Sequence, residues 1–137
     1  MYNNRRITMT EEFVTLETAK LLKEKGFKED VFTFYEVDCV EGDMILSETY
    51  DVSENFNEKN DCLSAPSQSL AQKWLRETKN IHICVYNCAC GYGYEISKAD
   101  NGTHIASSAY KGTNDGWEWD TYEEVLETGL QEALKLI

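Results

Sequence analysis

Proline occurs once in this 137-residue chain, at Pro66, which excludes a proline-rich linker or stalk. Histidine occurs twice, at His82 and His104. Basic residues are scarce: 13 Lys and Arg stand against 25 Asp and Glu, for a formal charge of −12. Such a surface repels phosphate backbones, and direct binding to DNA or RNA is not expected. No stretch reaches 18 consecutive apolar residues, so no membrane-spanning helix is expected, and no signal-like apolar run follows Arg5 and Arg6. The expected compartment is the cytoplasm. The five cysteines, an odd number, then read as reduced thiols rather than a disulfide framework.

Enough apolar material is present for a core: 42% of residues are hydrophobic and 12% aromatic, which argues against disorder. The length suits a single domain over 1–137. Residues 1–12 are expected to be partly flexible and residues 53–65 to form an exposed acidic loop.

Three helices are legible from caps and stripes. Thr15 can cap a helix over Leu16 to Lys25, with Leu16, Ala19 and Leu22 on one face and Gly26 as the left-handed stop. Ser67 can cap a second over Gln68 to Lys79, with Leu70, Ala71, Trp74 and Leu75 as its stripe and Asn80 as terminator. Thr121 and Glu124 form a T-x-x-E capping box before a third, Tyr122 to Leu136. Gly129 interrupts its apolar stripe, which predicts a close approach to a neighbouring element.

Alternation predicts strands over Ile81 to Asn87, Tyr92 to Ser97 and Thr103 to Tyr110, with turns at Ala89-Cys90-Gly91 and Asn101-Gly102. A further hairpin is expected from Val31 to Val37 and Met44 to Val52 around Glu41-Gly42-Asp43. The fold class is therefore α+β in the order α-ββ-α-βββ-α: three helices packed mainly on one face of a single antiparallel sheet of four to six strands. Trp74, Leu70, Leu126, Leu130, Leu134, Ile81, Ile83 and Val85 are the expected core.

The segments TLETAKLLKEKGF (15–27), PSQSLAQKWLRE (66–77), NIHI (80–83) and YEEVLETGLQEALKLI (122–137) resemble a family of short proteins of unknown activity from anaerobic gut bacteria and their prophages or mobile elements. The resemblance spans the three helices and implies no chemistry, and the cysteine cluster is not part of the pattern. The α-βββ-α order of 67–137 also resembles the double-stranded-RNA-binding domain in topology. That domain grips phosphates with bases at the start of its last helix, where this chain carries Asp120, Glu123 and Glu124, so RNA binding is rejected.

Candidate sites are few. His82, Cys84, Cys88 and Cys90 are thiol and imidazole ligands of the type zinc prefers, but C-x-C lacks the turn geometry of the usual C-x2-C knuckle. His82 and Cys84, two apart on a strand, stand about 7 Å apart, too far for a nucleophile and its base. Gly91-Tyr92-Gly93-Tyr94 lacks the lysine and Ser/Thr of a phosphate loop and reads as a hairpin. Trp117 and Trp119, with Tyr92 and Tyr94, are the aromatic candidates for a partner contact. Glu36, Asp38, Asp43, Glu48 and Asp51 fall in a stretch, Glu36 to Asp61, with nine acids and one lysine, and could imitate phosphates on a rigid surface. No catalytic residues and no cofactor are expected. The reading is a non-catalytic accessory or interaction domain with an unknown protein partner. The alternatives are an acidic nucleic-acid mimic and a thiol/imidazole metal-binding protein.

Overall fold

A computed structural model describes residues 9–109, 111, 112 and 118–137. The described elements are α1 (Leu16–Glu24), β1 (Thr33–Val37), β2 (Met44–Glu48), a 3-10 turn (Phe56–Glu58), β3 (Cys62–Ser64), α2 (Gln68–Thr78), β4 (Ile81–Cys88), β5 (Gly91–Lys98), β6 (His104–Ser107) and α3 (Tyr122–Lys135). None of these helices is long and apolar enough to cross a membrane.

The three helices start where their caps predict. The side chains of Thr15, Ser67 and Thr121 accept from the amides of Thr18, Leu70 and Glu124, three residues on in each case. Each cap satisfies an amide that the helix itself leaves open. Gly26 takes φ +91° and ends α1, and the Phe27 amide closes on the Leu22 carbonyl at 2.9 Å. The Phe27 ring then packs edge-on to Trp74 of α2, 5.4 Å between centroids.

The expected single sheet is not what forms. Among the described residues there are two separate three-stranded antiparallel sheets, ordered β2-β1-β3 and β4-β5-β6. The difference arises in the segment expected to be an acidic loop. Phe56 is buried there and stacks on Phe34 at 4.1 Å, and Cys62–Ser64 pairs with Phe34–Glu36 as β3. This occupies the second side of β1, so β1 has no edge left for the meander. The outer side of β3 is closed as well. The Ser64 amide donates to Asn57 Oδ1 at 2.8 Å, and the Lys23 ammonium donates to the Cys62 carbonyl at 3.0 Å.

Helices join the two sheets. α1 packs on β3 and on α3; α3 packs on α2, β4 and β5; and α2 packs on β4. Ile81, Ile83, Tyr94 and Ile96 are buried in this layer with Leu126, Leu130 and Leu134. Trp74 is buried too, whereas Leu70 and Val85 are only partly so. Residues 1–8 of the segment expected to be partly flexible lie outside the described residues. Glu12 is held, since its carbonyl accepts from the Gln68 amide at 2.8 Å.

Two contacts of α3 set this arrangement. A Cβ at Gly129 would stand 3.1 Å from Ile83 Cγ2 and 3.4 Å from Tyr94 Cγ, so the missing side chain lets the helix axis approach the sheet. Two residues earlier on the same helix, Glu127 reaches α1 and α2. Its carboxylate accepts from the Thr15 amide (3.1 Å), the Thr15 hydroxyl (3.0 Å), the Thr18 hydroxyl and the Gln68 amide nitrogen (2.9 Å). The negative charge thus sits at the start of α1 and α2, where helix dipoles favour it.

Two outcomes follow for unfolding in urea. Gly129→Val overpacks the helix–sheet contact and should cost about 1–3 kcal/mol. Gly129→Ala should cost less, because alanine gains about 1 kcal/mol of helix propensity. Glu127→Ala strips four donors of a charged acceptor and should cost about 2–3 kcal/mol. A Glu127→Ala midpoint unchanged from the wild type would show that these bonds do not hold the helices together.

Candidate functional site

The aromatic candidates lie mostly in the core. Tyr92 and Trp119 form an antiparallel bridge, each amide donating to the other's carbonyl at 2.8 and 2.9 Å. Trp119 is buried with its ring 5.9 Å from Tyr94, which is fully buried, and half-buried Tyr92 meets Tyr122 edge-on at 6.1 Å. These rings meet at the entry of the chain into α3, and burial gives Trp119 and Tyr94 to the core, whereas Tyr92 is half-buried and Tyr122 exposed. Trp117 lies outside the described residues. On the opposite face of β5, a Cβ at Gly93 would collide with the Tyr86 phenol and the Glu118 carboxylate, which explains the glycine.

The acidic candidates do not share one face. In the β1–β2 ladder Glu36 pairs with Ile45, and Thr33 with Glu48. Cross-strand partners point to the same side and neighbours alternate, so Glu36 and Glu48 project from opposite faces. Ser47 donates to the Glu36 carboxylate at 2.9 Å. Asp38 and Asp43 close the hairpin: the Asp38 amide donates to the Asp43 carbonyl, and the Asp38 carboxylate accepts from the Val40 amide at 2.9 Å. Asp51 is exposed in the loop after β2.

His82, Cys84 and Cys88 are strung along the solvent-facing side of β4, with Cys90 exposed in the turn beyond. The ladder places Glu95 opposite Cys84 and Ser97 opposite His82. His82 and Cys88 are six residues apart, roughly 20 Å along a strand. Among the described residues no three His, Cys, Asp or Glu side chains converge on a point that could hold a metal ion. His104 lies beside the Glu95 carboxylate, Nδ1 to Oε1 3.1 Å, both exposed.

The surface that stands out is elsewhere, on the first sheet. Phe32, Val37, Val40, Ile45, Leu46, Tyr50 and Val52 are all exposed, so most of the exposed large apolar residues come from one 21-residue stretch. Beside them lies a groove of about 480 Å³. Its lining joins two stretches of chain, Val31, Phe32 and Tyr50 on the one hand and Phe13, Pro66 and Leu70 on the other, and includes the exposed carboxylates of Glu11, Asp30 and Glu48.

Backbone hydrogen bonds hold both stretches. Phe13 bridges Ser67, with the Val14 amide on the Pro66 carbonyl at 3.0 Å. Val31 and Glu54 exchange bonds of 3.0 and 3.1 Å, and the Thr49 amide reaches the Phe32 carbonyl at 2.8 Å. The groove's hydroxyls belong to Thr33, Thr49, Tyr50 and Ser67, and no histidine, cysteine or basic residue lines it. Reasoning from the sequence missed it because Phe13, Pro66 and Tyr50 meet only through tertiary pairing. The available signal was the mixing of Val37, Val40, Ile45, Leu46, Tyr50 and Val52 with acids.

Burial gives Tyr94 a measurable signature. Desolvation, helped by the Glu132 carboxylate, pushes its phenol from an ordinary 10 up to about 12. A group whose pKa is raised on folding stabilises the fold fully below its unfolded value, and that contribution is lost as pH rises through the folded value. Stability should therefore fall between about pH 10 and 12, and the fall should be shallower in Tyr94→Phe. Its hydroxyl has no hydrogen-bond partner among the described residues, so at neutral pH the variant should be as stable as the wild type or more so. Denaturation curves on both sides of pH 10 check this, and identical alkaline slopes would contradict it.

No protein-family model, curated protein or solved structure matches this chain.

Proposed function

We propose that this chain is a non-catalytic protein-interaction domain whose contact surface is the β1–β2 hairpin with the adjoining groove. The observation that carries the reading is the concentration of exposed apolar side chains on that unit. Isolated exposed apolar residues are ordinary, whereas a run of them on one hairpin, here on both faces with Ile45 on one and Val37 and Leu46 on the other, leaves an apolar edge open to a partner. The resemblance to proteins of prophages and mobile elements fits an accessory role of this kind.

Acidic mimicry of a nucleic acid is the weaker reading. It calls for carboxylates arrayed on one rigid face, and Glu36 and Glu48 stand on opposite faces of the sheet. It also leaves Val40, Ile45, Leu46, Tyr50 and Val52 without a purpose.

The test is affinity capture from the source cells with the wild type and with an Ile45→Ser, Leu46→Ser, Tyr50→Ala variant. All three side chains are exposed, so the variant should melt within a few degrees of the wild type. A partner retained by the wild type and lost by the variant is the expected outcome. Equal retention by a folded variant would reject this surface.

A further inference from the structure

We infer that an extended, arginine- or lysine-bearing segment of another protein adds to the first sheet as a strand beside β2 and runs on past Glu48 into the groove, which crosses the end of the sheet. The inference rests on the interaction-domain reading and names the chemistry of the partner.

The first observation is the state of the sheet edges. β3 is closed on its outer side by Asn57 and Lys23. Among the described residues β2 pairs with β1 alone, in a register without a bulge from Thr33–Glu48 to Val37–Met44. Exposed edges are usually blunted by lysine, proline or a bulge. Met44–Glu48 has no lysine, proline or bulge; it is five residues long with one charge, Glu48 at its end, and Ile45 and Leu46 project from its two faces. Such an edge supplies main-chain hydrogen bonds to an incoming strand, with side-chain pockets giving specificity.

The second observation is charge. Between Glu29 and Glu58 every one of the ten ionisable Asp, Glu, Lys and Arg residues is acidic. Glu11, Asp30 and Glu48 line the groove, and Phe13, Phe32 and Tyr50 are among its apolar lining. Carboxylates beside aromatic rings suit a guanidinium or ammonium on an apolar stem: the stem is desolvated, the head is paired and the ring faces attract the cation. Arginine fits better than lysine, since its planar head can stack and pair together. A second copy of this chain is the wrong occupant, because edge-to-edge pairing would set two all-acidic segments against each other.

The experiment titrates full-length protein with a strand-length peptide alternating arginine and valine, and with its glutamate–valine counterpart, by calorimetry. The arginine peptide should bind at least roughly tenfold more tightly. Its affinity should fall with salt and fall about tenfold in Glu11→Gln, Asp30→Asn, Glu48→Gln. Glu123→Gln, Glu124→Gln, which removes acids at the start of α3, should leave it unchanged. Methylating alternate peptide amides should abolish binding, since the sheet bonds would be lost. Equal affinity for both peptides, or the same loss from the α3 variant as from the groove variant, overturns the inference.

If the Ile45→Ser, Leu46→Ser, Tyr50→Ala variant loses the peptide while the groove-acid variant keeps it, the surface stands and the cationic specificity fails. If neither variant weakens binding, the surface itself is wrong. A dimer of the wild type that the Ile45→Ser, Leu46→Ser, Tyr50→Ala change dissociates would make a second copy the occupant and reject the peptide.

Discussion

Glu127 is the point through which the three helices meet. One carboxylate receives the amide and hydroxyl of Thr15, the hydroxyl of Thr18 and the side-chain amide of Gln68. A charged acceptor with several donors is worth more than isolated neutral bonds, and its position at two helix starts adds a favourable dipole term. Two residues on, Gly129 lets the same helix settle on Ile83 and Tyr94. Through these two positions α3 governs the spacing of α1, α2 and the second sheet. The first sheet is attached through α1 on β3 and through the Tyr35 hydroxyl on the Val14 carbonyl at 2.8 Å.

This arrangement divides the molecule into a held part and a presented part. The second sheet and the helices bury Tyr94, Ile83, Ile96, Leu130 and Leu134, and Trp74 and Trp119 are buried with them. The first sheet buries Phe34 against Phe56 and leaves the outer part of its hairpin in solvent. A contact surface gains from being tied to a rigid body while its own apolar groups stay uncovered. The hairpin has that position, and the groove beside it is framed by backbone bonds rather than by side chains alone.

The helices and the meander were readable from local chemistry. Thr15, Ser67 and Thr121 announce helix starts by their own hydrogen bonds, and the alternation of Ile81, Ile83 and Val85 carries the strand period. The partition into two sheets was not readable. It depends on β3, the three residues Cys62–Ser64 between Asn60-Asp61 and Ala65-Pro66, whose strand state comes from pairing with β1 rather than from propensity. Trp119, a candidate for a partner contact from its aromatic content, is bridged to Tyr92 and buried, a placement set by tertiary pairing. The acids of 36–51 looked like one face because sidedness is a property of register, which pairs Thr33 with Glu48 and Glu36 with Ile45.

The central claim is that the β2 edge and its groove are the contact surface, and residue-resolved amide shifts measured while an arginine-bearing strand peptide is added test it most directly. The account predicts that the largest changes fall on Met44–Glu48 and on Phe13, Val31, Phe32 and Tyr50, with β2 amides gaining protection from hydrogen exchange. Changes centred on Cys84–Gly91 or on the start of α3, with β2 unmoved, would contradict it.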